Sequence, residues 1–299
     1  MDHSNGRLVL PPNEAIAARI KRQQLQSQPS KPLSTFYRNL EEGLDIRRAS
    51  NSLFSIAQNA WQVSNAIDLC SGDILSFNAS GALRAQFINE LARFPDFCIG
   101  SGGVRLGDGN YPYLEQAERE IASFHGAEAG LIVGSAFEAN MAVWTAIPRL
   151  GDVIVYDEFV HASTHEGIKQ SLAMQALVFS HNDVESFRNV LLSILESQPL
   201  VKQGKRSVIV ALESIYSMDG DVCPLQELID AAKDIFNDHG NIQFVIDEAH
   251  SVGVIGPNGA GLVCELGLEK EIAVVVHSYG KAMGATGGMF LHLTSWCLA

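Results

Sequence analysis

The chain has 299 residues, 46% hydrophobic and 18% charged, with a formal net charge of −13. That length can bury a sizeable core, as one large α/β domain with appendages or as two smaller domains, and the composition excludes a disordered chain. The acidity argues against a nucleic-acid partner, because Lys21–Arg22, Arg47–Arg48 and Lys205–Arg206 are isolated pairs rather than a basic patch.

In chain order, residues 1–60 differ from the rest. "NEAIAARIKRQQLQSQPSKP" predicts a short helix running into a Gln/Ser/Pro linker, and "STFYRNLEEGLDIRRASNSL" a second helix, so this part is expected to be a helical arm without its own core. Residues 61–299 are expected to form the main domain. There, short apolar runs alternate with helical stretches. "AGLIVGS", "DVIVYDE", "QALVFSH", "RSVIVALES", "IQFVIDE" and "IAVVVHS" read as buried strands. "YLEQAEREIASFHG", "FEANMAVWTAIPRL", "HEGIKQSLAM", "VESFRNVLLSILESQ" and "PLQELIDAAKDIFNDHG" read as helices. This alternation predicts a mostly parallel sheet with helices on both faces. In such sheets ligands sit beyond the carboxyl ends of the strands. The polar residues closing the runs, Ser135, Asp157, Glu158, Glu213, Asp247 and Ser278, should meet on one rim.

The five cysteines are scattered, with no CxxC pair, which points to a reducing compartment and no structural zinc. Cys98 and Cys264 are expected to be core thiols. No stretch reaches the apolar length of a membrane span, and no signal peptide opens the chain.

Several motifs compete. "DEAH" at 247–250 is spelled as in nucleotide-driven helicases, which also need G-x-x-x-x-G-K-[ST]. The Gly-Lys pairs here, Gly204–Lys205 and Gly280–Lys281, are followed by Arg206 and Ala282, and Pro199 and Val275 stand where the first glycine belongs. "GSGGVRLGDG" at 100–109 fails as a dinucleotide loop because Arg105 occupies the third glycine position. His161 and His165 have metal-ligand spacing, but Glu166 follows the pair instead of lying between them and no third ligand is evident, so no metal is expected. Lys281 follows a buried strand and is surrounded by Gly280, Gly284, Gly287 and Gly288, which leave room for a bulky group. Asp247 ends the apolar strand "FVID", where a carboxylate needs a partner. A Schiff-base lysine paired with an aspartate for a cationic ring nitrogen is the pattern of pyridoxal 5'-phosphate (PLP) chemistry.

Six segments carry a resemblance: "IGSGGVRLGDGNYPYLEQAE", "VGSAFEANMAV", "DEFVHASTHEGIKQS", "ALESIYSMDGDVCPL", "VIDEAHSVGVIG" and "HSYGKAMGATGG". In this order the chain resembles the α-oxoamine synthases, such as 8-amino-7-oxononanoate synthase, among the fold-type I PLP-dependent transferases. The resemblance implies Lys281 as the covalent attachment point and general base, Asp247 at the pyridine nitrogen, His250 at the ring hydroxyl and His161 stacked on the ring. It implies Ser135, Ala136, Phe137 and Ser278 at the phosphate, with Glu213 and Ser217 lining the site. The implied reaction condenses alanine, glycine or serine with an acyl-CoA or acyl-carrier-protein thioester, loses carbon dioxide and yields an α-amino ketone. A cytoplasmic homodimer is implied as well. An aminotransferase or lyase of the same fold, an inactive product and a non-catalytic partner subunit are the alternatives.

The sequence also departs from the family. Gly72 stands in "CSGDILSF" where the family usually has Asn, and Tyr113 or Leu114 stands where it has His. The chain stops soon after Lys281, so a missing small C-terminal domain, a truncated large domain and exposed apolar surface are expected.

Overall fold

The structure, a computed structural model, describes Ala17, Lys21 and residues 34–54, 67–98, 100–236 and 240–292. The chain divides into two units, Met1–Leu69 and Cys70–Ala299. In the first, helix α1 (Thr35–Ala49) buries none of its residues. Arg47 and Arg48 sit in its last turn, where positive charge suits the helix dipole, and Arg48 pairs with Asp45 at 2.6 Å. Of the helix expected in the preceding segment, only Ala17 and Lys21 lie among the described residues, both helical.

The second unit opens with α2 (Ala82–Arg93) and α3 (Pro112–Phe124), the latter with proline in its first turn, where no amide donor is needed. Then follow β1 (Ala129–Val133), α4 (Ala136–Ala146), β2 (Val153–Asp157), α5 (Ala162–Lys169), β3 (Gln175–Phe179), α6 (Val184–Ser197) and α7 (Pro199–Lys202). The unit continues through β4 (Val208–Glu213), α8 (Leu225–Phe236), β5 (Ile242–Asp247), α9 (Leu262–Leu266), β6 (Ile272–Ser278) and β7 (Gly288–His292). The strands form one sheet in the order β1-β7-β6-β5-β4-β2-β3. Neighbours from β6 to β3 run parallel, and β7 is antiparallel to both β1 and β6. The sequence reading finds six of these strands and misses β7, a five-residue strand that starts directly on Gly287–Gly288 and shows no alternating pattern of its own.

The inner parallel strands β2, β4, β5 and β6 are Val- and Ile-rich because both faces are covered, whereas edge strand β3 is largely exposed. Along β5, Phe244 and Ile246 enter a core with Phe187, Leu191, Leu228 and Ile229 of α6 and α8. Val245 enters the opposite core, with Ala139, Val143 and Trp144 of α4. The same alternation in β6 puts Val274 and Val276 on the α4 face. Two expectations about thiols fail: Cys98 is exposed and Cys264 only half-buried, while among the described residues the buried thiol is Cys223. Cys98 lies on a surface segment after α2 rather than in a strand, so its apolar neighbours in sequence do not enclose it.

Candidate active site

The pleat explains "DEAH". Asp247 continues the α4 face of β5, whereas Glu248 turns to the back. Asp247 is 8% exposed, and its carboxylate accepts from Asn140 Nδ2 of α4 at 2.7 Å and from the Ala249 amide at 2.8 Å. Glu248 accepts from the Val263 amide at 2.9 Å and meets His277 Nε2 at 3.1 Å, where both side chains are buried.

Asn140 also donates to Ser163 Oγ at 3.0 Å. Ser163 reaches His161 in turn, with Oγ 2.7 Å and the backbone amide 3.2 Å from His161 Nδ1. His161 is thus the N-cap of α5, accepting the Ser163 amide through its ring. An Nδ1 that accepts from the Ser163 amide leaves Nε2 as the ring's donor. A chain of bonds therefore joins Asp247 to His161 through Asn140 and Ser163. His165, four residues on from His161, lies edge-on to Tyr156. Among the described residues no group of three or more His, Cys, Asp or Glu is arranged to hold a metal ion.

Glu213 ends β4, in register with Asp247, and accepts from the His161 amide. Burial, and after it the nearby Asp247 carboxylate, push its pKa up to about 8. Lys281 lies in the turn after β6 with Nζ 2.8 Å from His250 Nε2. Burial lowers the lysine below its usual range, with Asp247 and Glu213 opposing the shift. Burial, then the adjacent Lys281, likewise hold His250 below the ordinary histidine value.

Ser135 caps α4, its Oγ accepting from the Glu138 amide at 3.1 Å. The first-turn amides of Ala136 and Phe137 have no carbonyl partner within the helix. Gly288 brings β7 hard against this turn, since a Cβ on it would lie 2.3 Å from the Ala136 nitrogen. Phe137 stands edge-on to His161, ring centroids 6.1 Å apart. Ser278 is 8% exposed at the end of β6, on the same rim. Ser217 is exposed on the loop after β4, and among the described residues no bond joins it to the others. Asn140 and Ser163 were not legible as site residues, because each looks like an ordinary helix position.

The class is set by a match over residues 64–298: the chain belongs to the aminotransferase class I and II family. Within it, the similarities fit the α-oxoamine synthase resemblance. The chain is 50% identical to the aminoacyl transferase sphA of Aspergillus fumigatus, across 96% of this chain and 60% of that one. It is 44% identical to an 8-amino-7-oxononanoate synthase of Emericella nidulans, across 76% and 55%. A serine palmitoyltransferase from S. paucimobilis, solved with bound PLP, superposes with a TM-score of 0.70 at 25% identity, covering 89% of this chain and 67% of that one. The chain spans 60% and 55% of the lengths of the two curated relatives named.

Proposed function

We propose that the chain holds PLP and condenses an amino acid with an acyl thioester, with loss of carbon dioxide, to an α-amino ketone. The observation that carries this reading is a half-buried Lys281 grouped with a buried Asp247 whose carboxylate is fixed by Asn140 and Ala249. The residues fit the group. Asp247 accepts one described bond at each oxygen and keeps lone pairs for a cationic donor. The turn at Ser135–Phe137 offers amides to a phosphate at the start of α4. When bound, PLP supplies an electron sink that lets a carbanion form at the amino acid's Cα.

The chain's own residues do the rest. Asp247 would keep a proton on the pyridine nitrogen, with Asn140 orienting its carboxylate. Lys281, its pKa lowered by burial, would offer the amine for covalent attachment and the base for the Cα proton. His161 would lie against the ring, with Nε2 available to donate to the carbonyl oxygen that develops as the thiol departs. His250 would reach the ring hydroxyl. Ser135, Ala136, Phe137 and Ser278 would hold the phosphate, with Glu213 and Ser217 lining the site. Its pKa pushed up by burial and by the nearby Asp247 carboxylate, Glu213 still accepts from the His161 amide.

The names of the relatives support acyl transfer over transamination. Alanine, glycine or serine is the amino acid, and a CoA or carrier-protein thioester the donor. Residues 61–299 are the PLP-binding domain and 1–60 an arm. A homodimer goes with this reading, supported by exposed Val104 and Leu106 on the glycine-rich segment, and so does a cytoplasmic location. Among the described residues no helix is long and apolar enough to cross a membrane. The test is an absorbance spectrum with added PLP, before and after borohydride, beside Lys281→Ala. A visible band fixed by reduction and absent from the variant is expected. A soluble, folded wild type without that band refutes cofactor binding by this chain. Release of carbon dioxide from an amino acid only when an acyl thioester is present then separates condensation from transamination.

A further inference from the structure

The stretch just before α2 has no part in the chemistry above, yet it presses on the turn that carries Lys281. Gly72 stands so close that a Cβ on it would lie 3.2 Å from Lys281 Cα, 3.5 Å from its Cβ and 3.6 Å from its Cγ. That is tighter than most real Cβ contacts, so with a side chain at 72 in this chain the lysine stem or its own strand must give by a few tenths of an ångström. Three residues past Lys281 the turn closes, with the Gly284 amide donating to the Lys281 carbonyl at 2.9 Å. Asn78 Nδ2 donates to the Gly284 carbonyl from 206 residues away.

Asn78 is itself held. The Asp73 carboxylate accepts from the Asn78 amide at 3.1 Å and the Ala79 amide at 3.0 Å. Gly284, at φ +63°, fits closely beneath both, since a Cβ there would be 3.1 Å from Asn78 Nδ2 and 3.1 Å from Asp73 Oδ1. Gly253 meets the same turn, where a Cβ would lie 2.9 Å from Met283 Sδ and 3.2 Å from Ala282 Cβ. The lysine turn is thus confined at Gly72, Gly253 and Gly284. Asn78 supplies a directional bond that fixes it along the chain.

We propose that the segment 72–78 is the positioning element for Lys281: the bare Gly72 sets where the lysine stem stands, and Asn78 locks the turn that carries it. The inference rests on the reading of Lys281 as the attachment point. Its physical basis is tolerance. Lys281 Nζ meets His250 Nε2 at 2.8 Å, and reactive groups lose function when displaced by about 0.5 Å from their working geometry. Gly72 and Asn78 are both exposed, so substituting them opens no core. Their effect should therefore reach the lysine rather than the fold.

The test reads Lys281 in the cofactor-free protein. Lysines are reductively methylated with ¹³C-formaldehyde, the Lys281 signal is identified by its loss in Lys281→Ala, and its pKa is followed by NMR. Asn78→Ala and Gly72→Ala should move that pKa up toward the ordinary lysine value by about half a pH unit, leaving about threefold less free amine at a fixed pH. The melting temperature should be unchanged, and Asn78→Gln, which keeps an amide donor, should restore part of the difference. If Gly72→Ala does not fold, the two Asn78 variants decide. A lysine pKa that stays in place in folded Asn78→Ala, or that moves only together with a lower melting temperature, overturns the proposal. A second arm adds PLP and times borohydride-trappable attachment, which should slow in the variants that shift the lysine. A wild type that takes up no PLP refutes the cofactor reading and leaves the lysine measurement standing.

Discussion

Asn140→Leu is the sharpest test of how the site is held. Asn140 is 2% exposed and donates to Asp247 Oδ2 at 2.7 Å and to Ser163 Oγ at 3.0 Å. Leucine has the same branched skeleton with the same number of heavy atoms, so the change deletes both bonds without opening a hole. A hydrogen bond to a charged partner contributes about 1.5–3 kcal/mol, and here it holds a buried carboxylate. If that stabilisation supports Asp247 as an anion facing the cofactor's ring nitrogen, PLP affinity should fall about 10- to 100-fold. Absorbance titration with PLP gives the dissociation constant, and a thermal melt of the cofactor-free protein checks the fold. A double-mutant cycle with Asp247→Asn separates the routes, since the loss from Asn140→Leu should largely vanish once the carboxylate is gone. A folded Asn140→Leu that binds PLP within about twofold of wild type refutes the reasoning, because the bond would then contribute almost nothing.

Three further outcomes are expected. His181 bridges Asp157 and Asp221 at 2.8 Å each; burial works against its charge, but the two carboxylates outweigh it and raise its pKa. A raised histidine stabilises fully below its unfolded pKa and loses that contribution as pH rises through the folded value, so His181→Asn should lower the melting temperature at about pH 6 and much less at about pH 9. Gly167→Ala puts a Cβ 2.7 Å from Trp144 Cβ and 3.2 Å from the Asn140 carbonyl, and such overpacking should cost about 1–3 kcal/mol in urea denaturation. Glu213 has its pKa raised to about 8, so its contribution to stability is full below the unfolded value and lost as pH rises through about 8; Glu213→Gln should melt like wild type at about pH 5 and above it at about pH 9.

Much of this was legible because one pattern served two purposes. Runs such as "VIVALE" and "FVID" are apolar on both faces, which marks parallel strands, and the polar residue ending each run marks the rim. Lys281 and Asp247 stood out as charges next to buried strands. Asn140 did not, since its partner Asp247 lies 107 residues away and nothing local in "FEANMAV" distinguishes a site amide from a surface one. Ser163 was hidden inside a stretch read for its histidines, where the helix proved to start at Ala162 with His161 as its cap. Gly72 was visible as a departure from a familiar pattern, but its contact with Lys281 depends on chain geometry that no spacing rule contains.

The adjacent acids of "DEAH" have opposite tasks, and the sheet requires both. Glu213 pairs with Asp247, and Asp247 with Val276, so the positions of Glu213, Asp247 and Ser278 follow from the register of β4, β5 and β6. A slip of β5 by one residue would turn Asp247 to the back and bring Glu248 to the site. Glu248 opposes that slip. On the back of the sheet it takes the Val263 amide, the Ser251 hydroxyl at 3.2 Å and His277 of β6. Turned forward, it would leave Val263 N–H, a buried donor, unpaired and forfeit about 1–3 kcal/mol for that group alone. The carboxylate that faces away from the chemistry thereby fixes the strand that presents the one facing it.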